Sequence, residues 1–326
     1  KNEDLARVVN GYLVHQASKF IQRFDANSYL RLTSALDRFD LVGENGLDHS
    51  FRNVSSKVLF ISFSSDWLYP PWQSQEIVES LHRMGKDASY LELDDKHGHD
   101  SFLINSDNFL RAVRVFFSGM DEKEEQDQNL DRFRPVSNRY EVKKVADFKV
   151  IDEWVSPESR ILDLGCGRGI LLEHLRNTKG VKGLGIDFER SKATSCIARG
   201  VSVYQQDIRM ALKNLADDSF DWVIFSRMVE ELTEPGYVIL EALRVGKRVA
   251  VSFVNHGYWK NRLHFLCYGN RIQNEVYPKR WEKSGLRNHF SIHEFEKFCL
   301  ESQKQGHEFK IGRKIFHQGD WSKKCS

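Results

Sequence analysis

The chain contains no C-x-x-C pair. Its five cysteines stand singly at positions 166, 196, 267, 299 and 325. Zinc ribbons and disulfide frameworks need closely spaced cysteines, so neither is expected, no metal site is expected, and a reducing cytoplasm fits. No apolar run approaches the roughly 20 residues of a membrane span, so no membrane partner is expected. Lys and Arg total 48 against 46 Asp and Glu, for a net charge of +2, with no basic block in any stretch. That balance argues against a dedicated nucleic-acid binder. No G-x-S-x-G occurs anywhere, so the strand-turn-helix elbow that presents a nucleophilic serine is missing. The first residue is Lys1, and the Asn2-Glu3-Asp4 start does not read as a signal peptide.

What is present is ordinary for a globular protein: 326 residues, 40% hydrophobic and 29% charged. The length favours two domains. Leu5, Val8, Val9, Tyr12, Leu13, Ala17, Phe20, Ile21 and Phe24 recur at helical spacing and predict an opening helix. A second helix is expected from a cap at Asn27 or Ser28 through Leu32, Leu36 and Phe39, broken by Gly43 to Gly46. Residues 57–63 form an apolar run that reads as a buried parallel strand. Pro70 and Pro71 suit the first turn of a helix ending at Gly85. A strand over 88–93 and a helix over 105–117 complete one βαβ unit with its trailing helix. Two strands make half a domain.

From 118 to 139 acidic residues crowd together with few apolar ones, as in a solvated linker. Beyond it, strands are expected at 160–164, 182–187, 201–206, 221–226 and 248–253. Helices are expected through 171–175, 190–199 and 236–244. This alternation is the doubly wound α/β pattern.

The first of those strands runs into Asp163-Leu164-Gly165-Cys166-Gly167-Arg168-Gly169. Glycines without a Cβ let the backbone approach a ligand. Asp187 ends the next strand, 24 residues after Asp163. An acid there can accept both ribose hydroxyls. Asp207 and Ile208 end the third strand, placed for an adenine edge and face. Nicotinamide enzymes use G-x-G-x-x-G; here the third glycine comes one residue early. The set Asp163, Gly165, Gly167, Gly169, Asp187, Asp207 and Ile208 resembles the cofactor site of class I S-adenosylmethionine-dependent methyltransferases, the alternative being a plain tight turn. S-adenosylmethionine or S-adenosylhomocysteine is the ligand this implies.

Residues 241–248, the stretch Val251 to Leu263, residues 200–207 and 217–221, and Trp281, Ser284, Ile292, Phe295 and Glu296 resemble the MetW family of methionine biosynthesis. The chain departs from that family at Val254, at Ser284-Gly285-Leu286, and at Arg227-Met228-Val229-Glu230. The last stretch faces the cofactor's sulfur in related folds. The resemblance therefore implies cofactor binding, with active methyl transfer to a small acceptor as the alternative function. Glu230 or Glu231 could act as a base there; the sequence favours an exposed helix face for both.

The front carries Lys19 to Leu30, Ser65-Asp66-Trp67-Leu68-Tyr69-Pro70-Pro71 and Gly98-His99-Asp100-Ser101-Phe102-Leu103. In this order these blocks resemble the C-terminal half of homoserine O-acyltransferases of the MetX type, which are α/β-hydrolases. The resemblance implies that a serine attacks acyl-CoA and passes the acyl group to the hydroxyl of homoserine. His99 would be the general base and acid, Asp66 its orienting carboxylate, and Asp100 the ligand of the homoserine amino group. His97 reads as a surface histidine, and Arg23 and Asp25 as architecture of the helical lid. In this fold the serine precedes the aspartate, so the chain is expected to be the C-terminal part of a longer protein and inactive in acyl transfer alone. The expected layout is a partial α/β-hydrolase domain (1–118), an acidic linker (119–139) and a Rossmann-like methyltransferase-type domain (140–326). Such relatives also imply a homodimer through the acyltransferase part.

Overall fold

A computed structural model describes residues 2–104, 106–119, 139–270 and 287–316. Nearly all of the expected acidic linker lies outside these residues, as do Trp281 and Ser284-Gly285-Leu286. The chain divides into two compact units, Lys1–Asn53 and Val54–Ser326.

The first unit is helical: α1 (Asn2–Arg23), α2 (Ala26–Asp37) and α3 (Leu47–Phe51). The cap of α2 is Asp25, not Asn27 or Ser28. Its carboxylate accepts from the N–H of Ser28 at 2.8 Å and of Asn27 at 3.3 Å, satisfying donors that a helix start leaves open. The helix stops at Asp37, short of the expected Phe39. Phe20 stacks on Phe24 with centroids 4.9 Å apart and meets the edge of Tyr29 at 5.7 Å. The outward apolar residues Val8, Tyr12, Leu13, Ile21, Leu32 and Leu36 are exposed.

The second unit is built on one parallel seven-stranded sheet. Its elements in chain order are β1 (Val58–Phe63), α4 (Pro71–Arg83), β2 (Ala88–Leu93), α5 (Asp107–Ser118), α6 (Arg139–Trp154), β3 (Arg160–Leu164), α7 (Ile170–Lys179), β4 (Lys182–Ile186), α8 (Arg190–Ala198), β5 (Ser202–Tyr204), α9 (Ile208–Lys213), β6 (Trp222–Ser226), α10 (Pro235–Val245), β7 (Val249–Ser252), α11 (Trp259–Tyr268) and α12 (Ile292–Lys304). The strand order is β1-β2-β5-β4-β3-β6-β7. Central strands buried on both faces read as apolar runs: Ile161, Leu162 and Leu164 of β3 and Val223, Ile224 and Phe225 of β6 are fully buried.

The strands on either side of the acidic stretch share this sheet. β1 and β2 pair along six residues, and β2 then joins β5 at Tyr90 and Tyr204. The seam is short, but side chains extend it. Gln205 N–H donates to the Tyr90 carbonyl at 3.2 Å, and its side-chain oxygen accepts the N–H of Glu92 at 2.9 Å. Val203 N–H donates to Ser89 Oγ at 3.2 Å, and the Tyr204 hydroxyl to Glu79 at 2.8 Å. The two tyrosine rings meet edge to face at 5.8 Å, a contact worth about 0.5–1.5 kcal/mol beyond area burial.

Because the sheet is parallel, every strand delivers its C-terminal loop to the same edge. β3 sends its chain to β4 on one side, and after β5 the chain returns to β6 on the other. That reversal is a topological switch point, where open α/β sheets hold ligands.

Candidate functional site

Two clusters of chemically capable residues lie along this edge. The first joins the loops after β1 and β2. Asp66 follows β1 and is buried. The N–H groups of Leu68 and Tyr69 turn back onto its Oδ1 at 2.9 and 3.0 Å. Its Oδ2 lies 3.0 Å from Nδ1 of His99. A carboxylate can only accept, so the proton between them is on Nδ1, and Nε2 is the nitrogen able to exchange one. Burial pushes the Asp66 carboxyl up, but the Tyr69 N–H, the His99 ring and the Leu68 N–H outweigh it and hold the group below its ordinary value.

His99 sits in a short 3₁₀ turn, Gly98–Phe102. Its ring is flanked by Tyr69 at 4.9 Å and the edge of Phe102 at 5.4 Å. Gly98 supplies a left-handed φ of 59°, and its N–H donates to Ser65 Oγ at 3.0 Å, tying one loop to the other. Asp100 is exposed on the same turn. His97 is exposed and pairs with Asp95 at 2.7 Å. Ser65, Tyr69 and Phe102 belong to the same two sequence blocks as Asp66 and His99, but only the fold shows that they tie the loops together and flank the ring.

The second cluster is the crevice at the switch point. Gly165, Gly167 and Gly169 all take left-handed φ values of 67°, 59° and 75°. A Cβ on Gly165 would stand 2.6 Å from Met228 Sδ, and one on Gly169 3.0 Å from Cys196 Sγ, whereas one on Gly167 would meet nothing within 4 Å. The first and third glycines thus pack the turn against its neighbours, and the middle one keeps the space before it clear. A ligand backbone can approach the turn through that open space, so the turn does not obstruct the adenosyl group expected there.

Asp163 is buried at the end of β3. Asp187, just past β4, is also buried; its Oδ2 accepts Gly167 N–H and its Oδ1 Glu189 N–H, each at 3.0 Å. Burial raises its carboxyl above the ordinary value, against the pull of the Glu189 N–H, Lys192 and the Gly167 N–H. The acid therefore shapes the glycine turn. Asp207 caps α9 through Arg209 N–H at 2.9 Å and pairs with the Arg209 side chain at 3.2 Å. Burial pushes its carboxyl up, but Arg209 holds it below the ordinary range. Any adenine contact there would share the carboxylate with Arg209. Ile208, the first residue of α9, is half-buried beside it.

The opposite wall follows β6. Arg227 has a left-handed φ of 54°, a conformation that costs a non-glycine residue about 1–3 kcal/mol and concentrates at functional sites. Its Nε donates to buried Asp147 of α6 at 2.6 Å, and Ser252 Oγ donates to the same oxygen at 3.1 Å. The sequence expectation of an exposed helix face fails for Glu230. The 3₁₀ turn Val229–Glu231 folds inward, leaving Glu230 2% exposed; Glu231 is exposed. Helical periodicity cannot reveal which of two adjacent glutamates a 3₁₀ turn buries.

Among the described residues no helix is long and apolar enough to cross a membrane.

Residues 145–322 match the family described as methionine biosynthesis protein MetW. A bifunctional methionine biosynthesis protein MetXA/MetW of Rhodopirellula baltica is 34% identical over 270 residues, which is 80% of this chain and 42% of that protein. Homoserine O-acetyltransferase of Methanosarcina acetivorans is 49% identical over 110 residues, or 34% of this chain and 20% of the enzyme. The chain thus spans less than half the length of either relative. Among solved structures, a SAM-dependent methyltransferase from Archaeoglobus fulgidus covers 50% of this chain and 67% of its own at 19% identity, with a TM-score of 0.39.

Proposed function

The chain belongs to the MetW family through residues 145–322, and on that premise we propose that it serves methionine biosynthesis as part of a homoserine O-acyltransferase to which an adenosyl-binding MetW domain is fused. The single observation that carries the acyltransferase reading is the Asp66–His99 hydrogen bond at 3.0 Å, with Asp66 fixed by two backbone N–H groups. It is the acid–base half of a nucleophilic triad.

The reaction runs in two steps. A serine hydroxyl outside residues 1–326 loses its proton to His99 Nε2 as its oxygen attacks the thioester carbonyl of acyl-CoA. The carbon–sulfur bond breaks, and the protonated ring returns the proton to the departing thiolate. The γ-hydroxyl of homoserine then gives its proton to Nε2 and attacks the acyl-serine ester. The serine leaves and recovers the proton, and O-acylhomoserine departs. Asp66 stays ionised throughout and stabilises the imidazolium formed in each step. Asp100, exposed beside His99, would take the homoserine ammonium.

In the MetW part, Asp187 would hold ribose hydroxyls, Asp207 and Ile208 the adenine, and the Gly165–Gly169 turn the ligand backbone. S-adenosylmethionine brings a sulfonium-borne methyl group and a readily recognised adenosine. The domain's role is to support or regulate acyl transfer. The exposed apolar residues of α1 and α2 support a homodimer formed through the acyltransferase part, and the absence of a serine elbow supports inactivity of residues 1–326 alone.

The test uses the full-length parent with acetyl-CoA or succinyl-CoA and homoserine. O-acylhomoserine should form, and His99→Ala should abolish it. S-adenosylmethionine should change the rate. Product formed equally by His99→Ala would sink the acyltransferase reading, and an unaltered rate with a saturated crevice would sink the regulatory one.

A further inference from the structure

Two of the five cysteines meet at the ligand turn. Cys166 stands between Gly165 and Gly167, and Cys196 lies on α8. Their sulfurs are 3.7 Å apart. The Cys196 thiol donates to the Gly167 carbonyl at 3.3 Å, which leaves the Cys166 thiol to donate to Cys196 Sγ. Glycines make room for both sulfurs. A Cβ on Gly185 of β4 would stand 2.5 Å from Cys166 Sγ, and one on Gly169 3.0 Å from Cys196 Sγ.

The two differ in access. Cys166 is half-buried on the turn, whereas Cys196 is fully buried, so an oxidant meets Cys166 first and Cys196 stands behind it as the resolving thiol. The hydrogen bond to Cys196, burial, and the carboxylates of Asp163 and Asp187 push the Cys166 thiol up. Its attack is therefore slow at neutral pH. The same setting favours no thiolate, and a stabilised thiolate is what makes a disulfide easy to reduce.

Joining the pair moves the turn. A disulfide holds its sulfurs about 2.0 Å apart, so these must close from 3.7 Å. Cys196 is fixed within α8, its carbonyl accepting the N–H groups of Arg199 and Val201 at 3.0 Å each. Cys166 lies between two glycines at left-handed φ values, the more pliant side. The displacement falls on the turn, and with it on the Gly167 N–H that donates to Asp187 at 3.0 Å.

Resting for its consequence on the adenosyl-binding reading above, we infer that Cys166 and Cys196 are a redox modification site, at which oxidation forms a disulfide that draws the ligand turn toward α8 and weakens adenosyl binding. The oxidant is a low-molecular-weight disulfide. Cys166, having given its proton to solvent, attacks one of the oxidant's sulfurs and releases one thiol. Cys196 then loses its proton, attacks Cys166 Sγ and expels the second thiol. Two protein thiols are oxidised, one disulfide is reduced, and the two protons end on the released thiols. Disulfides of this transient kind are the ones a reducing cytoplasm permits.

Peptide mapping and titration calorimetry on residues 1–326 test this, in dithiothreitol and after excess oxidised glutathione at about pH 8.5, near the ordinary thiol value. Trypsin cleaves after Arg160, Arg168, Lys192 and Arg199, so residues 161–168 and 193–199 carry one cysteine each. The oxidised protein should yield these two peptides joined. Its affinity for S-adenosylmethionine should fall by about tenfold or more and return on reduction. Cys196→Ser should form no such link and bind the ligand equally in both conditions, while Cys267→Ser, at an exposed cysteine, keeps the wild-type response. Glutathione retained on Cys166 with no joined peptide overturns the inference, and so does a joined pair with unchanged affinity. Should Cys196→Ser fail to fold, the wild type decides alone through these two readouts. Joined peptides in a protein that binds no adenosyl compound when reduced would remove the adenosyl reading and leave the redox site standing.

Discussion

His99 Nδ1 and Asp66 Oδ2 lie 3.0 Å apart, although 33 residues of chain, a helix and a strand separate them. The contact depends on β1 and β2 being adjacent and parallel, so that their following loops meet. Replacing Asp66 by Asn keeps the shape but offers an amide where Nδ1–H needs an acceptor. The ring then favours the wrong tautomer. In the full-length parent, Asp66→Asn should lower kcat by roughly 10³–10⁴-fold with little change in unfolding midpoint. A loss under tenfold would mean the pair is structural.

Asp187 is raised by burial in the free protein, and ligand hydroxyls donate about twice as strongly to its ionised form as to the neutral acid. Adenosyl affinity should therefore fall as pH is lowered, beginning above the ordinary aspartate value of 3.8. Asp187→Asn should weaken binding by about 10–100-fold, the worth of one or two charge-assisted hydrogen bonds, and flatten the pH dependence. Calorimetry from pH 8 down through the ordinary aspartate value of 3.8 reads both; a wild-type affinity that does not fall anywhere on that descent would exclude Asp187 as the ribose acid.

The middle and first glycines of the turn should respond differently to alanine. Gly165→Ala puts a Cβ 2.6 Å from Met228 Sδ at a left-handed φ, and should cost about 2–4 kcal/mol of stability from strain and overpacking together. Gly167→Ala meets no atom within 4 Å, so it should cost only the backbone strain of about 1–2 kcal/mol. Its methyl group projects into the crevice, however, and should reduce adenosyl affinity more than its stability loss explains. Thermal denaturation with a binding isotherm for each variant separates the two effects.

Most of this architecture was legible because apolar runs and glycine breaks mark buried parallel strands with little ambiguity. Arg160 to Leu164 and Asp163 to Gly169 needed only local pattern. What the pattern missed depended on partners distant in sequence. α9 is only 6 residues long and α11 has little amphipathic pattern, and the burial of Glu230 is set by Val254 and Asn288, contacts with no local signature. The shared sheet was equally hidden: Tyr90 and Tyr204 each read as an ordinary strand residue, and only the fold makes them neighbours. Asp25 took the cap of α2 because its carboxylate reaches two N–H groups of the first turn, a choice that propensity alone leaves open among Asp25, Asn27 and Ser28.

The seam between those strands carries its own pH signature. His82 of α4 is buried, with Nε2–H donating to the Ala88 carbonyl at 2.9 Å and its ring edge-on to Tyr204 at 5.5 Å. Burial pulls its pKa from 6.5 down to about 4; the Ala88 carbonyl and Asp87 oppose this, and Arg160 assists it. In the unfolded chain the same ring takes a proton near 6.5. Between these values the unfolded state binds more protons, so stability falls as pH drops. The contribution is complete above 6.5 and is lost on descending through about 4, amounting to about 2–3 kcal/mol across the window. His82→Gln retains a donor for Ala88 but cannot titrate. Urea denaturation at pH 7.5 and 4.5 should show a steep loss in the wild type and a shallower one, by about 2–3 kcal/mol, in the variant. Equal slopes would place the acid sensitivity elsewhere and leave the packing of α4 against β5 indifferent to protonation at this histidine.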